Sequence, residues 1–359
     1  MKVIVIGAGA VGAACAAALS RAGHRVTVLH LPARSTTALS GGHLLLQSKR
    51  PGSSLEMARR SLELLEKLAA GREAELRYAR RGSLVLAATD AEVEALRAHH
   101  EALTRAGVPL AWLDAAEARE LEPEIGPAVR AGTFCPLDAQ VGPVPLASLW
   151  LSQAEADGAE VLAAPVERLL LDDGAVKGVR AGVDLQAEAV VLAAGPWSAE
   201  LARSAGLDLR IEPYRGLLLR GTADRCLATR PLLGADYLCV KFGEAPGGVG
   251  FSFQQHPDGE CVLGGTRERA GFSTVGAEAW APAVLASAER YLPAATTVPW
   301  TRRDVGFRPR CADGPHAGPS GLPGLYLACG FEGDGITLAA AAAERIATCI
   351  GEGETCDNR

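Results

Sequence analysis

The chain opens with an apolar run, a glycine-rich turn and a stretch of small residues. Residues 3–6 are continuously apolar, which is typical of a parallel strand buried on both faces. Residues 7–12 read G-A-G-A-V-G, residues 13–22 are small and helix-forming, and residues 25–29 predict a second strand. A G-x-G-x-x-G motif placed between a strand and a helix predicts a turn that binds a dinucleotide.

Each glycine of this turn has a separate physical role. Gly7 allows the tight turn, Gly9 lets the backbone approach a pyrophosphate, and Gly12 permits close packing of the helix on the strand. The N-terminus of the following helix supplies unpaired N–H groups and a partial positive charge for phosphates. We therefore expect a dinucleotide pyrophosphate at this turn.

The second strand departs from the usual dinucleotide-binding pattern at its end. An Asp or Glu normally follows there and binds the ribose hydroxyls, but this strand ends Val28-Leu29-His30-Leu31-Pro32. His30 is able to donate or accept one hydrogen bond to the ribose. It is equally well interpreted as an ordinary loop residue, and the sequence leaves both interpretations open.

A second strand, glycine loop and helix follow near the C-terminus. Residues 324–330 predict a buried strand that ends in glycine, and residues 331–335 form a loop with two more glycines. Residues 336–350 predict an Ala-rich helix. This order of elements again places a helix N-terminus beside a turn, which predicts a site for an anion or for the edge of a ring.

Between these two turns the pattern changes from helical to alternating. Residues 55–71 and 90–106 have the spacing of packed helices, and Thr89 is the predicted cap of the second. Residues 132–143 predict a loop that crosses between two domains. Antiparallel strands are predicted over residues 217–220, 248–253 and 261–264.

Composition narrows the class of protein. The chain has 359 residues, and its formal net charge of −6 argues against a nucleic-acid partner. Its apolar runs are too short for a transmembrane span or a signal peptide. The nine cysteines have no C-x-x-C pair and no spacing of metal ligands, so we expect mostly buried thiols in a reducing cytosol and no metal site.

Taken in order, these segments resemble the D-amino-acid oxidase and glycine oxidase family of FAD-dependent oxidoreductases over essentially the whole chain. The resemblance is carried by VIGAGAVGAACAAALSRAGHRVTVL near the N-terminus, Thr36-Thr37-Ala38-Leu39-Ser40-Gly41-Gly42, Gly82-Ser83-Leu84, Ala193-Ala194-Gly195-Pro196-Trp197-Ser198, Pro213-Tyr214-Arg215-Gly216, and Gly306-Phe307-Arg308-Pro309 before Asp313-Gly314-Pro315. No single motif is decisive, but their order and spacing together are specific.

A narrower resemblance lies in residues 251–255, 264–268 and 332–336. These segments are similar to the flavin subunits of multi-subunit bacterial dehydrogenases that act on proline, hydroxyproline, opines or, with release of hydrogen cyanide, glycine. The resemblance implies an α/β fold: a Rossmann-like FAD-binding domain with a second α+β substrate domain built on an antiparallel sheet. The expected domains are residues 1–77, 139–216 and 298–359 for FAD and residues 78–138 and 217–297 for substrate.

The resemblance also implies an FAD cofactor and a set of residues around it. Gly7, Ala8, Gly9, Val11 and Gly12 would hold the pyrophosphate, with His30 near the ribose; Thr36, Thr37, Gly41, Gly42 and His43 would line the loop beside the phosphates and the flavin ring; Val166 would meet the adenine, and Gly195 and Trp197 would flank the ADP half; Gly330, Glu332, Gly333, Asp334, Gly335, Ile336 and Thr337 would edge the isoalloxazine.

The implied reaction is oxidation of the CH–N bond of a small amino or imino acid, with hydride transfer to flavin N5. Arg308 would bind the substrate carboxylate through its planar fork, and His43 is the second catalytic candidate. Weaker candidates are Arg215, Arg267, Tyr237 and His256.

Several positions depart from the family pattern. Gly142 stands where an Asp is common, Ala340 and Ala343 stand where the family has Pro and Gly, and the loop that carries a second substrate-binding arginine in glycine oxidase has none here. His30 in place of the ribose acid puts the tightness of FAD binding in question.

Several functions stay open on these residues. The first is the catalytic subunit of a hetero-oligomeric dehydrogenase, whose partner subunits carry further redox centres. The alternatives are a stand-alone amino acid oxidase, a structural or electron-relay subunit with a degenerate flavin site, and an NAD-type or other nucleotide-binding protein. The expected location is the cytoplasm, with contact to the inner membrane through partner subunits.

Overall fold

The computed structural model describes residues 1–32, 35–243 and 247–352. The last residues of the expected FAD-binding domain, 353–359, lie outside the described part.

Helices separate many of the strands along the described chain, but residues 160–192 contain five strands and no helix. The strands are β1 Lys2–Ile6, β2 Arg25–His30, β3 His43–Leu44, β4 Ser83–Ala87, β5 Ala111–Asp114, β6 Ala131–Cys135, β7 Ala139–Gln140, β8 Glu160–Ala163, β9 Arg168–Asp172, β10 Ala175–Ala181, β11 Val183–Gln186, β12 Ala189–Leu192, β13 Ile211–Thr222, β14 Leu232–Gly234, β15 Gly247–Gln255, β16 Glu260–Glu268, β17 Trp300–Cys311, β18 His316–Pro319 and β19 Leu325–Cys329. The helices are α1 Ala10–Arg21, α2 Ser53–Ala69, α3 Glu73–Leu76, α4 Asp90–Arg105, α5 Ala115–Leu121, α6 Pro143–Ala156, α7 Ser198–Arg203, α8 Ala235–Phe242, α9 Ala281–Tyr291 and α10 Gly335–Glu352.

A six-stranded sheet holds the two predicted glycine turns on β1 and β19, two strands that are separated only by β12. Its order is β18-β19-β12-β1-β2-β8, and all neighbours are parallel except the edge strand β18. β1, β12 and β19 are almost wholly buried, as expected for parallel strands covered on both faces. Because β1 and β19 run in the same direction, the turns after them open at the same edge of the sheet.

Helices cover one face of this sheet and a small sheet covers the other. The alanines of α1 pack closely on α10 and α6, and α2 packs on the outer side of α10. The opposite face packs against the antiparallel β11-β10-β9 sheet. Small side chains let α1 lie near its neighbours, and this fixes the N-terminus of α1 close to that of α10.

The second layer is an eight-stranded sheet with order β17-β13-β16-β15-β14-β4-β6-β5. Its strands are antiparallel except where β14 pairs with β4. Its own core includes Phe251, Phe253 and Tyr291, with α9 packed on the sheet.

The longest strands, β13 and β17, connect the two cores. They pair antiparallel from Ile211 opposite Cys311 to Gly221 opposite Trp300. Ile211 and Cys311 belong to the core beside the six-stranded sheet, whereas Leu217 and Leu219 belong to the core of the eight-stranded sheet. The expected boundary after residue 216 therefore falls inside one continuous strand.

Most elements predicted from the pattern are present, and one prediction needs correction. Thr89 caps α4 by accepting a hydrogen bond from the Glu92 N–H. Residues 132–143, predicted as a crossing loop, instead contribute to β6 and β7, because β6 pairs with both β4 and β5. Among the described residues, no helix is both long enough and apolar enough to cross a membrane.

Candidate cofactor and substrate site

A cavity of about 790 Å³ lies between the two glycine turns and the eight-stranded sheet. It brings together nearly all residues predicted for the cofactor and the substrate. The residues that line it are Gly7, Ala8, Gly9, Val11, His30, Thr36, Thr37, Gly41, Gly42, His43, Val166, Gly195, Trp197, Arg308, Glu332, Gly333, Asp334, Gly335, Ile336 and Thr337. Gly12 and Gly330 are not among the lining residues; Gly12 packs against Gly7 and Gly330 packs against Cys311.

The first end of the cavity is built from backbone and small side chains. The Ala10 N–H at the start of α1 donates to Thr37 Oγ1 at 2.9 Å, so residues 35–40 fold over the turn. A side chain at Gly12 would collide with the carbonyl of Gly7. The close approach of α1 to β1 therefore needs glycine at this position, and the first turn of α1 faces the cavity.

The far part of this end has the features of an adenosine pocket. His30 closes β2 at the cavity wall, and Val166 lines the wall across from it. Trp197 stacks on Phe272, with ring centroids 5.5 Å apart and an interplanar angle of 10°. Phe272 in turn contacts Phe307 edge-on at 5.3 Å, so a loop of the second layer covers the cavity here.

The second end is built from charged side chains around the N-terminus of α10. Glu332 has a left-handed backbone with φ of 49°, and its N–H donates to Pro309 O at 2.9 Å. Its carboxylate pairs with the buried Arg267 at 2.8 Å, and Arg267 also donates to the Tyr237 hydroxyl at 3.1 Å. Burial acts to raise the pKa of Glu332, but Arg267 outweighs it and holds the pKa well below its usual value.

The carboxylate of Asp334 accepts hydrogen bonds from two lysines. The Lys49 and Lys241 ammonium groups both donate to Asp334 Oδ1 at 2.8 Å. Lys49 is 2% exposed, and its remaining donors reach Leu45 O and Ser48 Oγ. Burial lowers the pKa of Lys49, with Asp334 opposing that effect, while the two lysines hold the pKa of Asp334 below its usual value despite burial.

Arg308 lies at the cavity wall with most of its guanidinium available. One nitrogen, Nη1, donates to Thr266 O at 2.8 Å. Gly216 makes room for the side chain, because a methyl group there would collide with the guanidinium. Among the described residues, no carboxylate pairs with Arg308. Burial first, and then the neighbouring Arg267, lower its pKa, so a substrate anion here would relieve an unfavourable charge.

His43 lines the cavity as a neutral imidazole. Burial, and then His256, lower its pKa to about 4. Its Nε2 is buried and has no hydrogen-bond partner among the described residues.

The weaker candidates separate in the structure. Tyr237 lines the cavity beside Arg267. Arg215 pairs with Glu268 at 2.6 Å and donates to the carbonyls of Ser273 and Val275, so it anchors the loop that carries Phe272. His256 is not among the cavity-lining residues. The two lysines that contact Asp334 were not predicted. The only signal for Lys49 in the sequence is a cation three residues after the apolar stretch 44–46.

Comparison with known proteins decides the family, since the sequence model for FAD dependent oxidoreductases (DAO) matches residues 2–348. The chain belongs to this family. Glycine oxidase from Geobacillus kaustophilus is 27% identical over 98% of this chain and 93% of its own length. The hydrogen cyanide synthase subunit HcnC of Pseudomonas aeruginosa is 29% identical over 64% of this chain and 53% of its own length.

One relative is much longer than the matched segment. The bifunctional protein ThiO/ThiG of Trichormus variabilis is 33% identical over 68% of this chain, but the match spans 36% of that protein. Among solved structures, glycine oxidase from G. kaustophilus has a TM-score of 0.87 at 24% identity, covering 99% of this chain and 96% of the other. L-proline dehydrogenase from P. horikoshii has a TM-score of 0.85 at 24% identity, covering 98% and 93%. These two structures show the same fold.

The cofactor of the family is FAD, and the residues present fit it. Both turns of the six-stranded sheet open into one cavity, as a single dinucleotide requires. The close contact of Gly12 with Gly7 brings the start of α1 to the cavity wall, where Val11 lies and where a helix N-terminus favours phosphates. The N-terminus of α10 faces the other end, where it favours negative charge on the flavin ring. The protein is an FAD-dependent oxidoreductase.

Proposed function

We propose that the protein oxidises the CH–N bond of a small amino or imino acid similar to proline, hydroxyproline, glycine or an opine. The observation that carries this proposal is Arg308, a guanidinium at the cavity wall whose Nη1 alone has a hydrogen-bond partner among the described residues. Bound FAD supplies the acceptor for the hydride of the substrate α-carbon. The carboxylate class of substrate follows from the planar fork of Arg308.

The chain's own residues contribute binding and orientation. The wall around Arg308 includes Gly216, Leu218 and Tyr237, which leave a small and partly apolar space for a substrate side chain. The substrate carboxylate on the guanidinium would fix the α-carbon relative to the rest of the cavity. A separate general base is not needed if the substrate amine enters neutral, so activity should rise above neutral pH.

An anaerobic substrate screen with an Arg308 variant tests this proposal. Proline, hydroxyproline, glycine, sarcosine and opines are mixed with the FAD-loaded protein, and bleaching of the flavin band is followed. Arg308→Leu should raise the half-saturating concentration by about a hundredfold or more while FAD stays bound, since a charged hydrogen-bonded pair is lost.

The matched control is Arg303→Leu, an exposed arginine on the same strand, which should behave as the wild type. Failure of every amino and imino acid to bleach the bound flavin would contradict the substrate class. Unchanged kinetics of Arg308→Leu would contradict the role of Arg308.

We also propose that the chain is the catalytic subunit of a hetero-oligomeric dehydrogenase in the cytoplasm, held near the inner membrane through its partners. Two observations support a partner: the similarity to a named subunit, HcnC, and the exposed apolar side chains Phe272 and Val275 on the loop over the cavity. Phe272 is 45% exposed although it stacks on Trp197.

The acceptor distinguishes this proposal from a stand-alone oxidase. If the proposal holds, substrate-reduced protein purified alone reoxidises slowly in air and rapidly with an artificial quinone. Rapid reoxidation by oxygen together with a single-chain mass would favour the oxidase. A folded chain that gains no colour with added FAD would favour the structural or electron-relay subunit.

A further inference from the structure

Two lysines on one aspartate leave an unbalanced positive charge at the α10 end of the cavity. The ammonium groups of Lys49 and Lys241 share Asp334, and all three side chains are largely buried, at 2%, 7% and 16% exposure. Lys241 contacts both carboxylate oxygens at 2.8 Å and donates to Ser48 O at 2.8 Å. These three side chains, called here the Lys-Asp-Lys cluster, carry a net charge of one positive unit.

The other charges at this end balance one another or the expected substrate. Glu332 pairs with Arg267 at 2.8 Å, which leaves no net charge. Arg308 has no carboxylate partner among the described residues, and a substrate carboxylate would balance it. The Lys-Asp-Lys cluster is therefore what remains once substrate is bound. Asp138, a further buried acid, attracts Lys49 but forms no ion pair with it among the described residues, and its carboxylate accepts from the Leu46 N–H and the Ser83 hydroxyl. The positive charge left over at Asp334 can therefore stabilise a transient anion in the cavity.

A reduced flavin provides an anion with the one negative charge that would balance this cluster. An oxidised flavin that takes up two electrons and one proton gains one negative charge, and the substrate releases this hydride from its α-carbon. Asp334 and Ser48 line the cavity beside Gly333 and Gly335, so the cluster adjoins the flavin end. With a substrate carboxylate on Arg308, the reduced flavin is the anion that would lie next to the surplus positive charge of the cluster.

We propose that Lys49 and Lys241 set the reduction potential of the bound flavin, because their surplus charge stabilises the reduced anion. This inference rests on the proposed function only in requiring bound FAD. Both lysines act through their charge and through Asp334, which makes them positioning residues. Their placement in remote segments, before α2 and within α8, explains why the α10 motif alone does not reveal them.

The test is the reduction potential of bound FAD, measured against reference dyes with a chemical reductant and without substrate. Lys49→Met leaves Asp334 paired with Lys241 and removes the surplus charge. The ratio of reduced to oxidised flavin should fall about tenfold at a fixed dye potential, which is about 30 mV for a two-electron couple. Sulfite, which adds to flavin N5 and forms an anion, should bind about tenfold more weakly.

A charge-restoring double variant separates charge from structure. Lys49→Met with Asp334→Asn leaves Lys241 alone with one positive charge, so the potential should return to within about twofold of the wild-type ratio. Lys241→Met tests the cluster from its other side and should match Lys49→Met. The exposed Lys177→Met is the control for a lysine substitution far from the cavity. Asp138, the other buried acid that acts on Lys49, is unchanged in every variant.

The outcomes separate this inference from the proposed function. A wild-type potential in both Lys49→Met and Lys241→Met, with FAD bound, would overturn the inference, as would a double variant that stays as low as the single ones. Bound FAD that no amino or imino acid reduces would overturn the proposed function alone, because the dye measurement uses no substrate. A wild-type chain that takes up no FAD would overturn both.

Discussion

The two ends of the cavity share one design and use it differently. At each end a parallel strand leads through a glycine turn to a helix whose N-terminus faces the ligand. The first end, at the start of α1, is made of backbone groups and small side chains, with Thr37 as its nearest polar side chain. The second end, at the start of α10, is surrounded by charged side chains from distant segments.

The difference follows from what each end has to bind. A pyrophosphate keeps its charge throughout the reaction, so fixed N–H groups and a helix dipole are sufficient. A flavin ring changes its charge during turnover, and its end is where ionic side chains are concentrated. Steric fit therefore matters most at the first end, and charge matters most at the second.

The largest expected effect is the loss of FAD binding when a methyl group is added at the first end of the cavity. In Gly12→Ala the new methyl group collides with the Gly7 carbonyl, so α1 has to move away from β1. We expect the chain to purify without FAD, as measured by absorbance near 450 nm. Gly351→Ala, in a helix with open space around it, is the matched control and should keep its flavin. Flavin content equal to the wild type in Gly12→Ala would show that this contact does not form the cradle.

At the second end of the cavity, removing one charge without changing the size of the side chain should lower the stability of the fold. Glu332→Gln leaves Arg267 buried without a counterion, and we expect a loss of about 3 kcal/mol or more in the free energy of unfolding. Urea denaturation gives this value. The double variant Glu332→Gln with Arg267→Met should recover part of the loss, since no buried charge remains unpaired. Equal stability of Glu332→Gln and the wild type would mean that the ion pair is not buried in solution.

The pH dependence of stability tests His43, which lies between the two ends. Its pKa is about 4 in the folded chain against 6.5 in the unfolded chain, so the unfolded chain takes up the proton first as the pH falls. Its stabilisation is present above pH 6.5 and is lost by pH 4, by roughly 3 kcal/mol in total.

His43→Asn should therefore lose less stability than the wild type between these pH values. Asp138 has the opposite sign, since its pKa is raised to about 6 by burial, but it is the same in both proteins and drops out of the difference. Parallel stability curves would contradict a neutral buried His43.

The smallest expected effect is a change in FAD affinity when His30, at the first end of the cavity, is replaced. His30→Glu restores a carboxylate where the ribose hydroxyls are expected, and it should tighten FAD binding by about tenfold, the value of one charged hydrogen bond. FAD titration by fluorescence quenching measures the change. His24→Glu places the same residue at the opposite end of β2, outside the cavity, and should leave the affinity unchanged. Weaker binding in His30→Glu would show that His30 itself contacts the cofactor favourably.

The same contrast explains how much could be predicted from sequence. The first end was predictable because its residues are contiguous, and Gly7, Gly9 and Gly12 have roles fixed by local geometry. At the second end the glycine loop and Arg308 were predicted from the family pattern, and the structure places them on one cavity wall. Lys49 and Lys241 were not predicted, and Arg267 was only a weaker candidate, because these side chains meet residues 332–334 only through tertiary packing. Residues 132–143 were mistaken for a loop because β6 and β7 are short and Pro136, Gly142 and Pro143 lie between or after them.

The paired strands β13 and β17 also limit how the molecule can move. They pair from one core to the other, from Ile211 opposite Cys311 to Gly221 opposite Trp300, with one register shift next to Gly221. A hinge motion that separates the two layers would have to break the hydrogen bonds between β13 and β17. This costs much more free energy than the movement of a loop. Heating should therefore melt both layers in a single cooperative calorimetric transition.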